Sequence, residues 1–203
     1  MPKFAVYYVP RQTDRLYRAG SAILGYDLRR RGAPRIPADL SALVRSRDPD
    51  WARCACDYGL HMIIGHSWEA DRRQVPQIEQ MTKAIWRVFP RDTRFILIRK
   101  GRSAVRFWGQ RREIVVMEFT PNSSLIILHT LVTAFFTAAT QEPFRFKPHF
   151  TLLNPYQGSR RSTFVRGLSR AVEDVRRIEI ASICLVVRWS EGQPWEIYRE
   201  YGR

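Results

Sequence analysis

Cysteine is scarce, with 3 in 203 residues. Cys54 and Cys56 are separated by a single residue, too close for an ordinary disulfide, and Cys184 stands alone. That excludes a disulfide framework and a four-cysteine zinc site, and it predicts a reduced, cytoplasmic protein. Long apolar runs are also missing. The N-terminal MPKFAVYYVPRQ has no extended apolar core ahead of its charged residues, so no secretory signal is expected. Residues 125–139 are broken by His129, Thr130, Thr133 and Thr137; this stretch reads as a buried helix rather than a span, which predicts no membrane partner. Acidic residues are few, 19 against 34 Lys plus Arg, for a formal net charge of +15. A field of that sign gathers polyanions and phosphates, although it also serves solubility or follows from an arginine-rich composition. Lysine is nearly absent, so most of the positive charge is arginine, the side chain suited to bidentate phosphate contacts.

Linker composition is lacking as well. No Gly/Ser-rich or Pro-rich stretch divides the chain, and a hydrophobic share of 45% can fill a sizeable core, so residues 1–203 are expected to form one bilobal domain. β-Branched and aromatic residues at 4–9 predict a strand ending at Pro10. Leu16, Ala19, Ile23, Leu24 and Leu28 then fall at helical spacing, with Thr13 or Asp14 as N-cap and Gly32 past the end. Residues 31–57 break into Pro, Arg, Asp and Ser, the signature of an insertion or loop, with a short helix around 40–44. Further on, the pattern predicts a helix over 72–89, strands at 95–99 and 104–108 joined around Gly101, and a strand at 114–119. It continues with helices over 123–139 and 160–177, and a closing hairpin of 180–189 with 195–201.

Two stretches in this series match each other. YGLHMIIGHSW, beginning at Tyr58, and FKPHFTLLNPY, beginning at Phe146, are short apolar runs, each with a histidine near its centre, His61 and His149. The offset between these histidines also carries the helix start at Arg72 onto Arg160 and Phe95 onto Ile183. The chain therefore reads as a duplicated plan of strand, helix, histidine strand, helix and hairpin, with approximate repeats 1–110 and 111–203. On a strand, alternate residues share a face, so His149 pairs with Thr151 and His61 with Ile63. Two lobes in pseudo-two-fold relation would bring both histidine strands to one cleft. The expected fold class is α+β, with two duplicated lobes of antiparallel sheet, outer helices and a central cleft.

The order of elements, FWG beginning at Phe107 and KPHFTL beginning at Lys147 resemble the two-histidine phosphoesterase superfamily, also called the RNA-ligase-T-like fold. That superfamily is recognised by two His-x-Ser/Thr-x tetrapeptides on adjacent strands. LYRAGSAILGYD beginning at Leu16, together with YGLH beginning at Tyr58, is most similar to the subgroup associated with phosphonate-utilisation operons. The resemblance implies an acid/base pair, His61 and His149, that hydrolyses a cyclic or 2′-linked nucleotide or RNA phosphodiester, with no cofactor and no metal. Imidazole suits this because its unperturbed pKa lies near ~6.5, so one ring can accept a proton while the other donates. The resemblance makes Thr151 a phosphate ligand whose hydroxyl holds a phosphoryl oxygen.

The first motif departs from the pattern, because Ile63 stands where a hydroxyl is expected and cannot donate a hydrogen bond. Three alternatives follow. One is an active enzyme with an asymmetric phosphate site, in which backbone amides or an arginine replace the donor. Another is a weakened hydrolase, since a lost donor aimed at developing charge costs on the order of 10²–10³ in rate. The third is an RNA- or nucleotide-binding protein whose cleft is catalytically impaired. Tyr58, Trp108 and Tyr156 flank the expected cleft as platforms for a base, and Arg106 and Lys147 stand near it as phosphate contacts, although aromatic residues at such positions also serve core packing. A metal site from His61, His66 and Cys54 or Cys56 matches no known ligand spacing, and His129 reads as packing. The sequence carries no signal for oligomeric state.

Overall fold

The computed structural model describes residues 1–41, 59–110, 113–136, 146–153 and 161–202. Its strands are β1 (Lys3–Tyr8), β2 (Met62–Glu69), β3 (Phe95–Arg99), β4 (Val105–Trp108), β5 (Ile114–Pro121), β6 (His149–Leu153), β7 (Arg177–Ile180), β8 (Ser182–Arg188) and β9 (Glu196–Gly202). Its α-helices are α1 (Arg15–Leu24), α2 (Val75–Arg87), α3 (Ser123–Phe136) and α4 (Arg161–Ala171). All strand pairs are antiparallel. One sheet has the order β2-β1-β8-β9; in the other, β5 pairs with β3, β4 and β6, and β3 pairs in turn with β7. This is an α+β fold of two antiparallel sheets with helices packed against them, as expected.

The two sheets do not coincide with the two halves of the sequence. The first sheet takes β1 and β2 from the first half and β8 and β9 from the second; the other sheet joins β5, β6 and β7 of the second half to β3 and β4 of the first, which follow one another along β5 instead of pairing as a hairpin. Each half therefore donates strands to the sheet of the other. Register pairs such as Ala5 with Val186 and Phe107 with Val115 hold the exchange. The helices are exchanged too: α1 packs near β6, α3 against β2, α2 against β8 and β9, and α4 against β4. Separating the halves would break both sheets, which is a physical reason for the missing linker.

Several boundaries differ from the pattern in the sequence. Helix α1 closes at Gly25 rather than near Gly32, because Gly25, whose N–H makes the last helical bond to the Ser21 carbonyl, takes a left-handed φ of 76° that turns the chain out of the helix. Leu28 is still buried, but from the turn that follows, where Tyr17 Oη donates to Asp27 at 2.6 Å and accepts from the Arg29 N–H at 2.9 Å. Asp71 and Gln74 form a reciprocal capping box over one 3₁₀ turn, so α2 starts at Val75. The stretch expected as one helix end and one strand, 171–189, instead contains β7. Ala181 separates β7 from β8, because the chain crosses there from the β3 side of one sheet to the β1 side of the other. A 3₁₀ turn spans Ala38–Leu40; of the helix expected around 40–44 only Leu40 and Ser41 are described, and 42–58 lie outside the described residues.

The core side of β2 shows why its sequence is small at one point. A Cβ on Gly65 would run into the Val132 side chain of α3, so glycine lets this helix lie directly on the strand. The same contact is held by His129 of α3, whose Nδ1 lies 2.6 Å from the Ile64 carbonyl and therefore donates to it. Gly65→Ala should lower stability by about 1–3 kcal/mol through overpacking. Chemical denaturation should show this as a lower midpoint at an unchanged m-value.

Candidate active site

Burial of one face of each histidine strand sets the direction of the other. In and beside β2, Leu60, Met62 and Ile64 are essentially inaccessible to solvent, which turns His61 and Ile63 to the opposite face. In β6, Phe150 and Leu152 are fully buried, and His149 and Thr151 are half-buried on the other face. Among the described residues, β2 pairs only with β1 and β6 only with β5, so both are edge strands; they approach each other where the two sheets meet.

The two histidines are held by the same local device. His61 Nδ1 lies 3.0 Å from the carbonyl of Gly59, and His149 Nδ1 lies 2.8 Å from the carbonyl of Lys147. Each bond runs back two residues. A carbonyl only accepts, so Nδ1 carries a proton in both rings, which makes Nε2 the nitrogen whose protonation can change. Gly59 makes this possible on the first strand: its φ of +58° lies in the left-handed region, and a Cβ there would collide with Leu28. Each ring also rests on an aromatic residue. Tyr7 of β1 stacks on His61 with centroids 4.0 Å apart and planes at 14°, and Trp108 of β4 leans on His149 at 4.3 Å and 45°.

Around His149 the side chains form a connected set. Glu118 of β5 stands directly opposite His149 in the register and is buried. Its Oε1 accepts from Arg106 at 2.6 Å and from the Trp108 indole N–H at 3.0 Å, so one carboxylate fixes both the guanidinium and the ring that covers His149. Burial pushes the His149 pKa below its ordinary value by removing water from the imidazolium, while the Lys147 carbonyl and the Glu118 charge act weakly in the other direction. The ring is therefore neutral at neutral pH. Beside it opens a cavity of about 680 Å³ whose walls include Arg106, Trp108, Glu118 and Lys147, with Lys100 and Thr120 at its margin.

Of the residues singled out in the sequence, the structure thus gathers His149, Thr151, Arg106, Trp108 and Lys147 in one lobe, and places His61 and Ile63 on the facing edge strand. Ile63 is 38% exposed on that face. Tyr58 and Tyr156, like Cys54 and Cys56, lie outside the described residues. His129 does pack: besides its bond to Ile64, its ring stacks on Phe146 at 4.3 Å. Tyr7 and Glu118 were not anticipated. Glu118 had a usable signal, a lone carboxylate in the apolar β5 sequence IVVMEFTP; Tyr7 had none beyond its strand. Among the described residues, no group of three or more His, Cys, Asp or Glu side chains is arranged to hold a metal ion.

In fold, these two sheets with their helices are similar to solved phosphoesterase and LigT structures. The chain is similar to a solved structure of E. coli LigT complexed with 3′-AMP, with a TM-score of 0.55 at 12% identity, over 100% of this chain and 98% of that one. It is similar over the same shares to apo E. coli LigT and to a crystal structure described as a phosphoesterase, each with a TM-score of 0.53 at 13% identity. No family model and no curated protein matches the sequence. Glu118→Gln should lower the His149 pKa further, because a negative charge that stabilises the imidazolium is removed; an NMR titration of the His149 ring protons reads the direction.

Proposed function

We propose that the chain is a phosphoesterase that hydrolyses a cyclic or 2′-linked nucleotide or RNA phosphodiester without a metal, with His61 and His149 as its acid/base pair. The observation that carries this reading is the matched pair of histidines on abutting edge strands, each with Nδ1–H tied to the carbonyl two residues back. The likeness in fold to a LigT structure that holds 3′-AMP, a 3′-phosphorylated nucleoside, agrees with a nucleotide substrate.

The environments favour a division of labour. His149 has its pKa depressed by burial, so its neutral Nε2 takes the proton from water as the water oxygen attacks phosphorus. In this division His61, whose ring lies flat on Tyr7, is the acid and gives an Nε2 proton to the ribose oxygen as the P–O bond breaks. The product is a phosphate monoester and a free hydroxyl, and the two rings recover their starting protonation through solvent. Thr151, on the His149 face, donates its hydroxyl to a phosphoryl oxygen and holds the phosphorus in line. Arg106 and Lys147 supply positive charge to the adjoining cavity, and Trp108 offers a face to the base. Tyr58 and Tyr156 belong to the same proposal as flanking contacts. Kinship with the phosphonate-operon-associated subgroup rests on the sequence motifs beginning at Leu16 and Tyr58, and implies a small ribosyl phosphate as an alternative substrate.

His61→Ala and His149→Ala should each reduce turnover of a 2′,3′-cyclic nucleotide by about 10²–10⁴. In the wild type, activity should fall on the acid side with a midpoint below the ordinary histidine value of ~6.5, because protonating His149 removes the base. Full turnover in both alanine variants would reject the mechanism.

Ile63 favours a second reading, a nucleotide- or RNA-binding protein with an impaired cleft, because an exposed apolar side chain occupies the place of a donor. Ile63→Thr decides between them. A rise in kcat of ~10² or more identifies a weakened hydrolase. An inactive wild type whose Thr variant is also inactive, but which binds RNA with strong salt dependence, identifies the binding protein.

A further inference from the structure

On the side of the second lobe away from β6 lies a second cavity, of about 710 Å³, formed where α4 and the residues after it meet the end of β3. Its polar walls are Arg99, Arg166, Arg170, Arg176, Ser169 and Glu173, four guanidinium groups against one carboxylate. Arg166 and Arg170 are one helical turn apart, so they project from the same face of α4. Among the described residues, no carboxylate lies within ion-pair distance of Arg166, Arg170 or Arg176. The exposed Ile98 adds an apolar floor.

Arg99 is built in rather than solvated. Its Nη1 donates to the carbonyls of Val172 at 2.9 Å and Glu173 at 3.1 Å, at the C-terminal end of α4. Its backbone N–H donates to the Arg176 carbonyl at 2.8 Å, which draws the two arginines together. Its Nε is buried with no partner among the described residues. Burial and the neighbouring Arg176 charge both disfavour the cation there, and Glu173 offsets this only in part. Positive charges gathered at the cost of mutual repulsion, with donors left over, are complementary to an anion.

This cavity adjoins the one beside His149. Arg99 and Gly101 line the arginine cavity, and Lys100, the residue between them, lines the other. Ile98 of the first is paired in the sheet with Thr120 of the second. Basic side chains thus line both neighbouring cavities, Lys100, Arg106 and Lys147 in the one beside His149 and four arginines in the other. We propose that the arginine cavity binds backbone phosphates of a single-stranded RNA whose reactive phosphodiester lies in the histidine cleft, so that the substrate is a polynucleotide rather than a lone nucleotide. This rests on the phosphoesterase reading for the position of the reactive end, while the RNA contact itself can be measured without turnover.

The experiment is a salt titration of binding between the full chain and a fluorescently labelled single-stranded oligoribonucleotide, followed by anisotropy. R166A/R170A, at two exposed helix positions, should weaken binding about tenfold at low salt and reduce the slope of log K against log[salt] by ~1.4, the value for two lost single-strand phosphate contacts. R87A/R91A removes the same charge from the far end of α2 and should leave the slope within error of wild type. An unchanged slope in R166A/R170A, or an equal loss in R87A/R91A, overturns the assignment, the second because binding would then follow the overall charge. Phosphoesterase activity is assayed separately on a cyclic mononucleotide. If it is absent while the arginine-dependent RNA binding stands, the hydrolase reading fails and the RNA site holds; if it is present while the slope is unchanged, the site alone fails.

Discussion

Everything at the candidate site depends on the fixed alternation of two edge strands, each with one face pressed into the core. Leu60, Met62 and Ile64 on one strand, and Phe150 and Leu152 on the other, are buried essentially without remainder. A slip of one residue would turn these apolar groups outward and the histidines inward, at a cost of several buried side chains of ~1.5–3 kcal/mol each. The histidines are therefore aimed by hydrophobic burial, not by their own contacts. Their hydrogen bonds, back two residues to Gly59 and Lys147, then choose the tautomer.

The exchange of strands adds a second constraint. Because each sheet contains strands from both halves, the relative placement of β2 and β6 is written into both hydrogen-bond ladders at once. The helices repeat the arrangement, with α1 near the second histidine strand and α3 on the first. Gly65 and His129 show how close the latter contact is: one omits a side chain so that Val132 can approach, and the other satisfies a carbonyl of β2, which among the described residues pairs only with β1.

The pseudo-symmetry stops at the chemistry. One histidine is paired with a tyrosine in a parallel stack, the other with a tryptophan whose indole N–H is tied to Glu118. One strand continues with Thr151 and the other with Ile63. Glu118 also holds Arg106, so a buried carboxylate organises the positive wall of the cavity beside His149. The half-exposed Arg106–Glu118 pair contributes little to stability after solvent screening, and its role is to fix geometry.

The sequence by itself determined the α+β class, the order of most elements, and which residues alternate with the core on the two histidine strands, because period-two and helical patterns are local and follow directly from which side chains must leave water. It carried the match of the two histidine stretches and placed Ile63 two residues after His61. It did not show β7, the exchange of strands between sheets, or Tyr7 and Glu118 beside the histidines. Those features arise between residues far apart in the chain: Tyr7 meets His61 through strand pairing, Glu118 meets His149 across β5 and β6, and Arg99 meets Arg176 where β3 passes the end of α4. Tertiary structure alone decided them, since strand partners and cavity walls are chosen by non-local packing that no local period encodes.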